Sequence, residues 1–65
     1  MKNFGKRLTK LREDKGLSLE DVAKDLNLDK TTLKMWENNK KVLTISSIIK
    51  IAKYFNVSVD YLLGL

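Results

Sequence analysis

Apolar residues recur with helical spacing along most of this chain. Phe4, Leu8 and Leu11 follow one another at intervals of four and three residues, which predicts a first helix at about residues 3–14. The same periodicity predicts four more helices, at about residues 19–26, 30–38, 45–54 and 59–63. We therefore expect an all-α fold in which five helices form a single domain over residues 1–65.

Residues that favour helix ends separate the predicted helices. Gly16 follows the first helix, where glycine commonly adopts the left-handed conformation. Ser18 can cap the second helix together with Asp21 at its third position, and Asn27 can end that helix with positive φ. Further caps or breaks are expected at Asp29, Asn38, Asn39, Thr44, Asn56 and Ser58.

The fourth predicted helix has the broadest apolar face. Its inner stripe is expected to consist of Ile45, Ile48, Ile49, Ala52 and Phe55. Residues 42–45 are rich in β-branched side chains and could instead form a strand. An isolated strand would have no pairing partner, so the helical interpretation is preferred.

The second and third predicted helices are short, and only residues 27–29 separate them. This is the outline of a helix-turn-helix, in which a tight turn holds two helices at a steep angle. Ala23 is small, as required where the two helices cross closely, and Asn27 suits the turn. Leu33 is expected to tie the third helix to the core. The sequence therefore predicts a helix-turn-helix over about residues 19–38.

Charge is distributed in blocks along the 65 residues, which carry a net charge of +5. Residues 1–15 hold six cations and two acids (net +4), and residues 30–41 hold four cations and one acid (net +3). Residues 16–29 hold one cation and four acids (net −3). This pattern favours a polyanionic partner such as nucleic acid, although the lysines could equally form an ordinary solvated surface.

Composition argues against several other classes of function. The chain has no Cys and no His, so it cannot form a disulfide or an ordinary zinc site, and we expect no metal or cofactor. It has no glycine-rich phosphate loop and no evident pair of buried carboxylates, so an enzyme is not expected. No apolar run approaches the roughly 18–20 residues of a membrane span, and no secretory signal is evident. A cytoplasmic protein that binds neither membranes nor small molecules is the expectation.

Three segments carry a resemblance to a known family: LTKLREDKGLSLEDVAKDLNL, TTLKMWENNKK and SIIKIAKYFNVSVDYLLG. With these segments the chain resembles the Cro and phage-repressor (lambda-repressor-like) helix-turn-helix domains of bacterial and phage regulators. The resemblance covers about residues 5–64. It implies a compact bundle of five helices whose third helix, residues 30–38, enters the major groove of DNA.

The third predicted helix has two faces. Leu33 and Trp36 lie on the inner face, so Trp36 is interpreted as a core residue rather than as an aromatic that stacks on bases. The outer face carries amines, a hydroxyl and a thioether, which can bond base edges or pack on thymine methyl groups. The family resemblance implies base contacts from Lys30, Thr31, Lys34 and Met35, in which the amine of Lys30 would donate to guanine or to a phosphate.

The resemblance also implies contacts with the DNA backbone, which fix register without reading sequence. These contacts are expected from Arg12, Asn38, Asn39, Lys40 and Lys41. The backbone N–H groups at the start of the second helix, near Ser18, can add another phosphate contact. Arg12 and Glu37 match positions that commonly form an ion pair in the family. Leu19 departs from the pattern, because the family usually has Gln there, and its amide binds phosphate and braces the recognition residue.

These observations favour a sequence-specific regulator of transcription, a repressor in the first instance, that binds a pseudo-palindromic operator as a homodimer. The C-terminal residues could supply the dimer contact or simply pack within the monomer: Tyr61, Leu63 and Leu65. The acidic second helix is interpreted as a solvated face. The alternative function is a protein-interaction module, such as an antirepressor or an antitoxin, and Leu19 together with the acidic helix favours it.

Overall fold

Residues 3–65, the part of the chain that the computed structural model describes, form five helices joined by short turns. In chain order they are α1 (Phe4–Asp14), α2 (Leu19–Asp25), α3 (Lys30–Glu37), α4 (Ile45–Phe55) and α5 (Val59–Leu63). Each boundary lies within one residue of its predicted position. No strand occurs in this part of the chain, and residues 42–44 form an irregular loop, so the all-α prediction is confirmed.

The helices enclose one apolar core to which each of them contributes. Helix α1 packs against α3 and α5, α2 packs against α3, and α4 packs against α5. Burial of apolar surface contributes about 25 cal/mol per Å², so this cluster is the main source of stability. The buried apolar side chains are Phe4, Leu8, Val22, Ala23, Leu26, Leu33, Trp36, Ile48, Ile51, Ala52, Phe55 and Leu62.

Helix α4 faces the core with a narrower stripe than the one predicted. Its buried residues are Ile48, Ile51, Ala52 and Phe55. Ile45 and Ile49 were expected among them, but they are 76% and 41% exposed, whereas Ile51 is buried. Successive buried positions are three, one and three residues apart. The covered stripe therefore lies to one side of the two exposed isoleucines.

Side-chain caps begin helices α2, α4 and α5. The hydroxyl of Ser18 accepts the N–H of Asp21, and the carboxylate of Asp21 accepts the N–H of Ser18, which forms the predicted capping box. Thr44 and Ser58 each accept the amide three residues further along. Asp29 precedes α3 as predicted, but its side chain accepts no capping hydrogen bond. Its carboxylate can still interact with the positive end of that helix.

Left-handed asparagines follow three of the helices. Asn27, Asn39 and Asn56 have φ values of 57°, 56° and 55°. Asparagine tolerates this conformation better than most residues that carry a Cβ, as expected from the sequence. Asn38 has φ of −98°, so only the second asparagine of the pair after α3 uses positive φ.

Candidate nucleic-acid interface

Helices α2 and α3 with the turn between them form the predicted helix-turn-helix. Ala23 is 4% exposed and its carbonyl accepts the N–H of Leu28 at 2.8 Å, so the chain folds back directly beside the end of α2. Asn27 provides the left-handed residue in this turn. Leu33 is fully buried and anchors α3 to the core. A small buried residue, a left-handed asparagine and a fully buried leucine thus lie at the end of α2, in the turn and in α3.

Helix α3 separates into an inner and an outer face. Leu33 and Trp36 are buried, and Trp36 is only 5% exposed, which agrees with its interpretation as a core residue. The outer face presents two amines, a hydroxyl and a thioether to solvent, from the four residues predicted to contact bases: Lys30, Thr31, Lys34 and Met35. The structure thus brings the predicted base-contacting residues together on one exposed surface. Whether they contact bases stays a prediction.

The first residue of this surface has an acidic neighbour. The Nζ atom of Lys30 lies 3.3 Å from Oε1 of Glu20 on helix α2. The side chains are 57% and 76% exposed, so the ion pair is solvated and contributes little to folding stability. No local pattern in the sequence predicts this contact, because the two residues lie ten positions apart on different helices.

A second ion pair joins helices α1 and α3 at the opposite end of α3. Arg12 donates from Nε to Oε2 of Glu37 at 2.7 Å and from another guanidinium nitrogen to Oε1 at 3.1 Å. The side chains are only 14% and 8% exposed, so the pair predicted from the family resemblance exists and is largely covered. The hydrogen bond to Glu37 raises the pKa of Arg12.

The hydrogen bonds of Arg12 bear on its predicted phosphate contact. A third nitrogen, Nη1, donates to the carbonyl of Leu17 at 2.9 Å, so every nitrogen of the guanidinium already has a partner. A phosphate contact would have to use the second N–H of a terminal nitrogen. The main role of Arg12 is therefore to hold α1, the following turn and α3 together.

Sequence reasoning missed two further residues at this junction, Gly5 and Thr9. A Cβ atom on Gly5 would lie 2.3 Å from the carbonyl oxygen of Glu37, so only glycine permits this close approach of α1 to α3. The hydroxyl of Thr9 lies 3.0 Å from Oε1 of Glu37 and 2.9 Å from the carbonyl of Gly5. A glycine within a helical pattern is the signal that indicates such a contact.

Asn39 has a structural role besides the phosphate contact predicted for it. Its Oδ1 atom accepts the N–H of Gly5 at 3.1 Å, in the first turn of α1, where amides have no partner within the helix. Asn39 thus caps α1 from a distant loop. Asn38, Lys40 and Lys41 are exposed beside it, which leaves them accessible for the predicted phosphate contacts.

The predicted phosphate contact near Ser18 is altered by the capping box. The N–H of Ser18 already donates to Asp21 at 3.1 Å, and the hydrogen bonds from the backbone and side chain of Ser18 lower the pKa of Asp21. An ionised carboxylate therefore lies at the start of α2. A phosphate contact there would use the amides of Leu19 and Glu20, which belong to the first turn of the helix.

Helix α4 holds the other end of α2. The hydroxyl of Tyr54 donates to Oδ2 of Asp25 at 2.6 Å, and this hydrogen bond, with desolvation, raises the pKa of Tyr54 to about 12. The ammonium of Lys50 donates to the carbonyl of Leu26, where a cation is favoured by the negative end of the helix. These contacts join α4 to the end of α2, and the sequence did not reveal them.

The residues predicted for a dimer contact are in different environments. Tyr61 is 37% exposed, and the guanidinium of Arg7 lies 4.8 Å from the centre of its ring. Leu65 is 87% exposed. Leu63 packs against the core, so it is less suited to a contact with a second copy than the other two.

Residues 3–65 contain no group of three or more His, Cys, Asp or Glu side chains that could hold a metal ion. Within the same residues, no helix combines the length and the apolar character that a membrane span requires.

Comparison with known proteins identifies the family. Residues 5–65 match the helix-turn-helix domain family. The chain is 35% identical over 61 residues, 94% of its length, to the HTH-type transcriptional activator BcrR of Enterococcus faecalis. It is 32% identical over 62 residues, 95% of its length, to the HTH-type transcriptional regulator ImmR of Bacillus subtilis (strain 168). The matches span 30% and 49% of those two relatives, so the chain corresponds to at most half of either. The chain belongs to a helix-turn-helix domain family of the Cro and repressor kind.

Proposed function

We propose that this chain is the DNA-reading domain of a transcriptional regulator and binds double-stranded DNA in a sequence-specific manner. The observation that carries the proposal is the outer face of α3. Lys30, Thr31, Lys34 and Met35 are exposed together on it, while Leu33 and Trp36 fix the opposite face in the core. The similarity to proteins named as transcriptional regulators supports the same conclusion.

In this proposal the N-terminal half of α3 enters the major groove. An ammonium group can donate to O6 and N7 of guanine, which suits Lys30 and Lys34. The hydroxyl of Thr31 can bond a base edge, and the exposed thioether of Met35 can pack against a thymine methyl group. The junction of α1 with α3 would hold the helix at a fixed angle while these side chains adapt.

The DNA backbone would be held on both sides of the groove. Asn38, Lys40 and Lys41 follow α3 as exposed donors, and the first turn of α2, whose amides can bind phosphate, lies beside the start of α3, where Glu20 contacts Lys30. Phosphate contacts of this kind set position without reading sequence. Each lysine that neutralises a phosphate should steepen the dependence of the binding constant on salt by about one unit.

We further propose a homodimer on a pseudo-palindromic operator, with half-sites about one helical turn apart. Tyr61 and Leu65 are the exposed residues that suit a contact between copies. Repression is the proposed outcome of binding, although one relative is named an activator. We place this non-enzymatic regulator in the cytoplasm, where it would have access to DNA.

Selection from a pool of random duplexes tests the proposal, because an enriched sequence gives the operator and its symmetry together. Lys30→Ala should then reduce discrimination at one G·C position by about 1–3 kcal/mol. Lys41→Ala should weaken binding to all DNA sequences alike. It should also reduce the slope of the binding constant against salt concentration, on logarithmic scales, by about one unit. If no sequence is enriched and random duplex does not bind even at low salt, the chain does not read DNA.

A second function is supported by the surface of α2. Glu20, Asp21 and Asp25 are all exposed, and Leu19 replaces the amide that the family pattern leads one to expect. A protein-interaction module on the same scaffold would present this acidic surface to a basic partner. Absence of DNA binding in the selection experiment would favour this function.

A further inference from the structure

The acidic residue beside Lys30 has no role among the proposed DNA contacts. Glu20 projects from the first turn of α2 toward the first residue of α3, and its Oε1 atom lies 3.3 Å from Nζ of Lys30. It also adjoins Leu19, where the family resemblance led us to expect a glutamine that braces the recognition residue. A carboxylate in a surface that approaches phosphates is unfavourable unless it has another effect.

We infer that Glu20 is a positioning residue that sets the sequence specificity of Lys30. This inference rests on the proposed function and adds a residue to it. Glu20 holds the ammonium group between the start of α2 and the start of α3 and keeps it from phosphates that lie away from α2. In this way the side chain next to Leu19 takes over the bracing that Leu19 cannot provide.

An ammonium group has enough hydrogen-bond donors for Lys30 to contact Glu20 and a base at the same time. Lysine has three N–H donors and no acceptor. One donor can remain on Glu20 while the other two reach O6 and N7 of a guanine. Lys30 therefore does not have to release Glu20 at a matched base pair. It does have to release Glu20 to follow a phosphate away from α2.

The same geometry lowers affinity for unrelated sequences. A free lysine contributes to binding on any duplex, because phosphates are present at every step. A lysine held by a carboxylate contributes less there, because its charge is already partly neutralised. At the operator the contact with guanine offsets this loss. Glu20 therefore widens the difference between operator and random duplex.

The solvent exposure of the ion pair between Glu20 and Lys30 determines how strongly Glu20→Gln should change DNA specificity. Both side chains are more than half exposed, so water screens their interaction in the free protein. We expect Glu20→Gln to lower the ratio of operator to random-duplex affinity by about two- to fivefold, the range that exposed ion pairs supply. The change should come chiefly from tighter binding to random duplex.

Glu13→Gln provides the matched control. Glu13 is an exposed glutamate at the end of α1 for which no DNA contact is proposed, and its replacement by Gln makes the same change in net charge as Glu20→Gln. It should leave the ratio of affinities within about the measurement error. A specific effect at Glu20 can thus be separated from a general gain in positive charge.

The experiment measures the dissociation constants of the wild type, Glu20→Gln, Lys30→Gln and the double variant for the selected operator and for random duplex, over a range of salt concentrations. The inference predicts that Glu20→Gln lowers the ratio and steepens the salt slope on random duplex by about one unit, as Lys30 becomes free to reach a phosphate. It also predicts that neither effect of Glu20→Gln occurs once Lys30 is replaced.

Two outcomes would overturn the inference, and they differ from failure of the proposed function. If Glu20→Gln strengthens binding to the operator and to random duplex by the same factor, Glu20 only repels DNA. If its effect persists in the Lys30→Gln background, Glu20 does not act through Lys30. If selection enriches no operator at all, sequence reading itself is absent, and the proposed function fails together with the inference.

Discussion

Two ion pairs hold the opposite ends of helix α3, and they differ in almost every physical respect. At its C-terminal end, Glu37 binds Arg12 at 2.7 Å, with side chains only 8% and 14% exposed. At its N-terminal end, Lys30 binds Glu20 at 3.3 Å, with side chains 57% and 76% exposed. The ion pair at the C-terminal end of α3 is therefore covered and fixed in geometry, whereas the ion pair at the N-terminal end is solvated and adaptable.

This difference suits a helix that has to be fixed in angle yet adjustable in its contacts. The covered pair sits where α1 and α3 approach most closely, so it determines the orientation of α3 relative to the core. The solvated pair sits where the helix would meet DNA, so its members can exchange water for base edges. Substitutions at the two ends should consequently affect different properties.

The largest expected effect is that of Gly5→Ala at the fixed end. The added Cβ would lie 2.3 Å from the Glu37 carbonyl oxygen, and neither backbone can move without disturbing the crossing of α1 and α3. We expect a loss of about 3 kcal/mol in the free energy of unfolding, measured with denaturant, because overpacking against backbone has few ways to relax.

Gly16→Ala is the control for this change. Gly16 has φ of 66°, but a Cβ there would have no atom within 4 Å. Its expected cost is about 1 kcal/mol, from the left-handed backbone alone. Equal losses for the two variants would mean that the crossing of α1 and α3 is not close.

Glu37→Gln tests the covered ion pair itself. The substitution keeps the shape of the side chain but removes the charge that Arg12 and Thr9 contact. We expect the free energy of unfolding to fall by about 2 kcal/mol, between the values for exposed and for fully buried pairs. Asp14→Asn removes the exposed pair with Lys10 and should change stability by less than about 0.5 kcal/mol. If the two losses matched, the covered pair would be no more than a surface contact.

The sequence predicted the helices and the two ion pairs at the ends of α3 to different extents, because the sequence patterns that indicate them differ. Apolar periodicity and caps predicted the five helices within one residue, since those signals are local. The pair of Arg12 with Glu37 was predicted only through the family resemblance. The contact of Glu20 with Lys30 was not predicted, because it depends on the angle between α2 and α3, which no local pattern encodes.

Helix α4 illustrates the same limit in another way. Its existence followed from periodicity, but Ile45 and Ile49 were wrongly placed in its buried stripe. A helical wheel gives the relative directions of side chains, whereas the neighbouring helices decide how wide a stripe they cover. The contacts of Lys50 and Tyr54 with the end of α2 were missed for the same reason.

Tyr54→Phe tests whether α4 helps to position α2, the helix that carries Glu20. Removing the hydroxyl deletes its hydrogen bond to Asp25, and we expect a loss of about 1 kcal/mol at neutral pH. The pKa of Tyr54 is raised to about 12, above the value of roughly 10 in unfolded chains. Its contribution is therefore complete below pH of about 10 and declines as pH rises toward about 12.

The pH dependence supplies the control for that prediction. The wild type and Tyr54→Phe should differ in unfolding free energy at pH 8, and the difference should shrink between roughly pH 10 and 12. Tyr61 is the other tyrosine and remains in both proteins, so its titration cancels in the comparison. A difference that stayed constant to pH 12 would exclude the hydrogen bond to Asp25 as its cause.

The smallest expected effect on folding stability is that of Glu20→Gln. It is the same replacement as Glu37→Gln, made at the ion pair of the N-terminal end of α3. Because the pair with Lys30 is solvated, we expect the free energy of unfolding to change by less than about 0.5 kcal/mol, against about 2 kcal/mol for Glu37→Gln. Thermal and denaturant unfolding of both variants, measured side by side, would give the contrast directly. A destabilisation at Glu20 as large as that at Glu37 would show that both ends of α3 are structural joints. A stable Glu20→Gln protein with altered DNA discrimination would instead assign folding to one end of the helix and recognition to the other.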